Sequence, residues 1–361
     1  MPGKTTILMT GVTGYIGGTV LSHFLKHPDF SSFHVKTLVR SKEKAAKLAS
    51  LGVEPVVGSL SDEKFVEDTA AQADVVFAMA DADNFEASVA ILRGLKRRNR
   101  ETGSVPILIH TGRVSEFNPS SKIMEDELTK SYLQGVLVDD AKGDHGTDTI
   151  YDDANPDQIE SLPDTQLHRN VDLEVLRADK EGYLKSYIVL PSTIWGIATG
   201  VLVEKGIQNP HSQQVPQLVR ASLARGRAGM VGEGKNIWPD VHIDDIAQLY
   251  IVLFDSIRKN PTTGHGREGF YFGETGEHTM QEVGKAIQDA LIALGKAKTN
   301  DTEPSTFTQE EIDKYLDGST YLGTNSRCRA NRSRSIGWKP TKTKEDFLKS
   351  IKSEVEALMD K

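Results

Sequence analysis

The run Thr10-Gly11-Val12-Thr13-Gly14-Tyr15-Ile16-Gly17-Gly18 constrains this chain more than any other stretch. It follows a short apolar segment (6–10) and opens one in which Ile16, Val20 and Phe24 recur at helical spacing, with Leu21 and Leu25 beside them. A strand that passes through glycines at i, i+3 and i+6 into a helix can turn tightly and bring its backbone close to a ligand. The helix start then offers unpaired N–H groups to an anion. In that context the turn predicts a pyrophosphate site, and hence a bound nucleotide.

The first half goes on alternating two periods. Strand-like runs at 34–39, 53–57, 74–80 and 105–110 alternate with helical ones at 42–51, 63–71 and 85–100. That order predicts βαβ units, and right-handed crossovers make them a doubly wound parallel α/β sheet. Residues 114–163 break the pattern with a polar stretch, expected to be a lid or substrate-binding insertion. Helix resumes near Asp164, and 187–190 reads as a sixth strand ended by Pro191. The second half carries helical patterns near 244–257, 280–294 and 344–359 and a late strand at 268–272. The expected organisation is a cofactor-binding domain over 1–200 and a smaller, interleaved α/β substrate lobe over 201–361.

Composition excludes several classes. With 43 Lys+Arg against 51 Asp+Glu, the net charge of −8 disfavours a nucleic-acid or anionic-membrane partner. A single cysteine, Cys328, permits neither an internal disulfide nor a multi-thiolate zinc site. No apolar run approaches membrane-spanning length, and the first residues enter a strand at once, leaving no room for a signal peptide. The expectation is a cytoplasmic monomer or homodimer acting on a small molecule, without metal.

The glycine spacing, GxxGxxG, resembles the fingerprint of the extended short-chain dehydrogenases/reductases, nearest to their NAD-dependent epimerase/dehydratase-like members. Pro191-Ser192-Thr193-Ile194-Trp195-Gly196, Val241-His242-Ile243-Asp244-Asp245-Ile246-Ala247 and Gly337-Trp338-Lys339-Pro340 continue that resemblance in the family's order across nearly the whole chain. It implies a Rossmann fold and a nicotinamide cofactor over Gly11, Thr13, Gly14, Tyr15, Ile16 and Gly17. Ser59 and Leu60 would flank the adenine, and Ala80 and Asp81 would pass under the cofactor after the fourth strand. Thr111, Pro191, Ser192 and Thr193 would lie by the nicotinamide. Where NAD-preferring members carry an acidic residue after the second strand, this chain has Arg40 and Ser41, with Lys42 and Lys44 nearby. A cation and a hydroxyl suit a 2′-phosphate, which favours NADP(H).

The family's Tyr-x-x-x-Lys pair is missing: none of the nine tyrosines has lysine four residues on. On the equivalent helix His168 and Asp172, or Gln166 and Asn170 in the other register, fall at the vacant spacing; a polar surface patch is the competing reading. Thr111 at the end of the fifth strand and Tyr151 in the insertion are further candidates to orient or protonate a substrate. Trp238 replaces an Arg that grips the diphosphate in sugar-nucleotide epimerases, so Trp195 and Trp238 are read as walls for an apolar substrate, against a core role. Arg327, Arg329, Arg332 and Arg334 are either an anion site or a solvated basic face. The expected activity is an NADP(H)-dependent reduction of a small, possibly secondary-metabolite, acceptor such as an enone or imine. A non-catalytic NADP(H)-binding regulator and a non-redox lyase or cyclase are the alternatives.

Overall fold

In the computed structural model, which describes residues 4–82, 84–112, 138–139, 141–164 and 169–359, the first half builds one large sheet. Its elements are β1 (Thr5–Met9), α1 (Tyr15–Phe24), β2 (Phe33–Val39), α2 (Lys42–Ala49), β3 (Glu54–Val57), α3 (Glu63–Ala70), β4 (Val75–Ala78), α4 (Phe85–Thr102) and β5 (Ile107–Thr111). Next come α5 (Arg169–Lys180), β6 (Lys185–Pro191) and β7 (Thr193–Trp195). The second half adds α6 (Gln214–Arg225), β8 (Ile237–His242), α7 (Ile243–Lys259), β9 (Phe270–Gly273), β10 (Gly276–Thr279), α8 (Met280–Ala293) and α9 (Lys344–Leu358).

The strand order is β9-β6-β5-β4-β1-β2-β3, with every pair parallel. This is the doubly wound α/β sheet expected from the alternation. Strand β4 is buried along its whole length, as a strand covered by helices on both faces must be. Helix α4 starts where the Asn84 side chain accepts the Ala87 N–H, and it ends at Gly103 in the left-handed region (φ 72°). The chain reverses its winding between β1 and β4, which opens a crevice at the strands' C-terminal ends.

A second core, with Trp238, Val219, Ile287, Leu291, Phe347 and Val355 at its centre, packs α6, α8 and α9 around the small sheet β10-β8-β7. Helix α7 and strand β9 instead join the first core. The two halves are therefore interleaved. The family-like segments at 241–247 and 337–340 meet at one point: the Trp338 indole N–H donates to the Asp245 carbonyl (2.8 Å), and the Asp245 carboxylate accepts the N–H groups of Thr341 and Lys342.

The described part of the polar stretch docks through short pairings, 138–139 with Asn325–Ser326 and Tyr151–Asp152 with Cys328–Arg329. The four arginines beside it each meet a carboxylate: Arg327 and Arg329 share Glu277, Arg332 bonds Glu268 and Arg334 bonds Glu274. Asp153 secures this seam. It is buried, and its carboxylate accepts N–H groups from Phe272 (3.0 Å), Arg332 (2.6 Å) and Ser333 (3.0 Å) and the Ser333 hydroxyl (3.0 Å). Replacing Asp153 with alanine strands those donors, so we expect a loss of about 2–4 kcal/mol in urea unfolding. An unchanged midpoint would show that the carboxylate does not hold the seam.

Candidate functional site

The glycine turn lines the crevice, and its glycines have separate jobs. Gly11 has φ +73°, and a Cβ there would lie 2.4 Å from the Met79 carbonyl oxygen. A Cβ on Gly17 would meet the Gly11 carbonyl at the same distance, so these two positions allow strand, turn and helix to touch. A Cβ on Gly14 meets only that carbonyl, at 3.2 Å, so its open side faces the crevice. Gly14 caps α1 without a side-chain acceptor, and no acidic residue stands in the first turn. Ile16 and Gly17 thus present N–H groups that helical geometry leaves without an intrahelical acceptor, the arrangement that receives a phosphate. The Thr10 hydroxyl accepts the N–H groups of Met79 and Ala80 and ties the turn to the end of β4.

Two hollows, of about 980 and 910 Å³ with their open mouths included, share Gly11, Thr13, Ala80 and Asp81 and so form one trough. The second hollow runs past Arg40, Ser59 and Leu60, together with Ser61 and Asn84. Arg40 is exposed at the end of β2 and makes no ion pair or hydrogen bond among the described residues. The first hollow follows Gly14, Tyr15, Ile16 and Gly17 to Thr111, Gly112, Pro191, Ser192 and Ile194.

Its far wall is a segment that no sequence pattern marked. Residues 207–213 cross the glycine turn, with the Asn209 N–H on the Thr13 carbonyl (3.0 Å) and the Gln208 amide on the Tyr15 carbonyl (2.9 Å). Asn209, His211, Ser212 and Gln213 all line the hollow. The Tyr15 hydroxyl donates to the Gly196 carbonyl. At the strand ends, the buried Thr111 hydroxyl pairs with the Tyr250 hydroxyl at 2.6 Å, and Ser192 donates to the Gly273 carbonyl at 2.7 Å. Burial holds the Tyr250 phenol well above its usual range.

Helix α5 carries Asn170 and Asp172, two of the residues read at the vacant Tyr/Lys spacing. His168 and Gln166 lie outside the described residues, and Asn170 is exposed. Asp172 is completely buried behind Gly112, and neither carboxylate oxygen has a hydrogen-bond partner among the described residues. His110 Nε2 lies 4.0 Å away. Burial raises the Asp172 carboxyl from 3.8 to about 7, against the pull of the Arg169 charge.

Other expected residues are turned elsewhere. Trp195 and Trp238 do not wall the trough: Trp195 packs on Phe347 and donates to Asp240 (3.1 Å), and Trp238 packs on Tyr321 and donates to the Thr324 carbonyl. Both belong to the second core. Thr193 is buried outside the trough lining, because alternation along β7 sends Ser192 and Ile194 one way and Thr193 and Trp195 the other. Lys44 reaches the Ile207 carbonyl (2.7 Å), bracing the crossing segment, and the Ser41 hydroxyl accepts the Lys44 N–H as the cap of α2. Tyr151 is half-buried beside Cys328, away from both hollows. Among the described residues no group of His, Cys, Asp and Glu is arranged to hold a metal ion, and no helix is long and apolar enough to cross a membrane.

Comparison with known proteins agrees with this architecture. Residues 3–123 match the NmrA-like family. The oxidase ucsJ of an Acremonium species is 28% identical over 350 residues, which is 92% of each chain. Among solved structures, the UDP-glucose 4-epimerase of Thermotoga maritima superposes with a TM-score of 0.62 at 15% identity, covering 99% of both chains. A dTDP-glucose 4,6-dehydratase from Bacillus anthracis, solved with NAD, superposes at 0.59 and 15% identity, covering 99% of this chain and 98% of its own. The likeness in fold to epimerase/dehydratase-like enzymes expected from the sequence is thereby borne out.

The buried Asp172 sets a pH dependence. Its folded form keeps a proton up to about pH 7, whereas the unfolded chain releases it near 3.8. Between those values the native state binds more protons, so this group's contribution to stability falls as pH rises and is fully spent above about 7. Asp172→Asn is expected to narrow the difference in thermal midpoint between pH 5 and pH 8. An undiminished difference would contradict the assignment.

Proposed function

We propose that this chain, an extended short-chain dehydrogenase/reductase by fold, is an oxidoreductase that uses NADP(H) and reduces a small organic acceptor such as an enone or imine. The observation that carries the cofactor preference is Arg40, a cation without a partner among the described residues, on the wall of the hollow continuous with the glycine turn. The residues fit a dinucleotide along the trough. The α1 start would take the pyrophosphate, Ser59 and Leu60 the adenine side, and Thr111, Pro191 and Ser192 the nicotinamide side. When bound, the nicotinamide supplies a hydride. Thr111 and Ser192, both held by protein partners, shape and orient that end.

Without the Tyr/Lys pair, an acceptor already electrophilic suits the site better than a simple ketone, because it asks less of an acid. The fixed Thr111–Tyr250 pair also favours a second reading, a protein that binds NADP(H) without turnover. Consumption of NADPH with a panel of enones, imines and ketones separates the two: turnover on any of them supports the enzyme, and binding with none supports the regulator.

Arg40→Ala is expected to weaken NADPH binding about tenfold to a hundredfold, the worth of a charge-assisted contact, and NADH binding hardly at all. Equal losses for both cofactors, measured by titration calorimetry, would refute the 2′-phosphate assignment.

A further inference from the structure

The reduction proposed above needs a proton for the acceptor, and three of the hydroxyls that line the hollow already have protein partners. Ser192 donates to Gly273, Tyr15 donates to Gly196, and Thr111 is paired with Tyr250. We infer that His211, oriented by Glu354, is the catalytic proton donor; the inference rests on the oxidoreductase reading. The His211 ring lines the same hollow as Ser192 and Ile194 and is itself buried. Its Nδ1 lies 2.8 Å from Glu354 Oε1, and Glu354 is buried on α9 in the opposite lobe. A histidine whose Nδ1 is held by a buried carboxylate has its tautomer and ring plane set.

The backbone fixes the ring's place as firmly. The His211 N–H donates to Asn209 Oδ1 (3.2 Å), and its carbonyl accepts from Asn209 Nδ2 (2.9 Å). Asn209 is bonded in turn to Thr13 of the glycine turn. The proton donor and the phosphate-binding turn are therefore one rigid unit. Asp81, the carboxylate on this hollow among the described residues, is exposed and lies where the two hollows join, on the cofactor's side.

The chemistry balances with NADPH as reductant. As the acceptor carbon gains a hydride, the π pair of its C=O or C=N bond, or of the conjugated enone, moves onto the heteroatom. The His211 imidazolium gives that atom its ring proton and becomes neutral imidazole, which solvent reprotonates after product and NADP⁺ leave. Positioned acid catalysis of this kind contributes about 10²–10⁴-fold.

The test uses the full-length protein with NADPH and the acceptor panel, following NADPH consumption and NADPH affinity. His211→Ala is expected to lower turnover about 100-fold or more, to leave the NADPH dissociation constant within about twofold, and to recover rate with added imidazole. His211→Gln, which keeps bulk and polarity, should lose turnover without rescue. Glu354→Gln should give a smaller loss and, in the cofactor-free protein, shift the His211 Nδ1–H signal in ¹H–¹⁵N spectra. Wild-type turnover in the His211 variants, or an Nδ1–H signal indifferent to Glu354→Gln, would overturn the donor role and leave the oxidoreductase reading standing. A wild-type protein that consumes NADPH with no acceptor would overturn that reading, and the donor role with it.

Discussion

Everything at the site depends on the contact between the backbone at Gly11 and the Met79 carbonyl. No side chain fits between them, and Gly11 adopts a backbone conformation that other residues rarely take. That contact brings the end of β1 against the end of β4, at the point where the sheet reverses its winding. Gly17 repeats the device against Gly11 and sets α1 directly on the turn. The trough follows from these two contacts: its floor is backbone, and its phosphate end is a helix start with no side chain capping it.

A second constraint joins the two cores. The segment 207–213 starts in the first core at Ile207, crosses the turn, is bonded to Thr13, Tyr15 and Lys44, and leads into α6 of the second core. Asp245 and Trp338 tie α7 to the C-terminal segment. With these ties in place, a helix from the far lobe can set the orientation of a side chain on the wall of the trough. The Glu354–His211 bond does so across 143 residues of chain.

The fold was legible because each strand and helix of the first half carries its own period, and the order of periods determines the sheet. The turn was legible from its glycine spacing between a strand and a helix, and the strand-end residues 111, 191 and 192, which line the trough, came from the family resemblance. Orientation was not legible at the same level. Trp195 and Trp238 occupy family-like segments, yet the pleat of their strands turns them into the second core, and Thr193 goes with them. The insertion gave no periodic signal, so Tyr151 was placed by chemistry alone, and the pairing with Cys328 carries it away from the trough. His211 and Glu354 carry no local signal at all: a histidine after Asn-Pro and a glutamate on an amphipathic helix look ordinary until the lobes close.

We propose that this trough holds NADP(H) with its 2′-phosphate on Arg40 and its nicotinamide near His211. A crystal structure with NADP⁺ would show the pyrophosphate at the N–H groups of Ile16 and Gly17, the 2′-phosphate against the Arg40 guanidinium, and the nicotinamide between the 191–192 strand end and the His211 ring. A dinucleotide bound with its 2′-phosphate away from Arg40, or a trough empty at saturating NADP⁺, would contradict it.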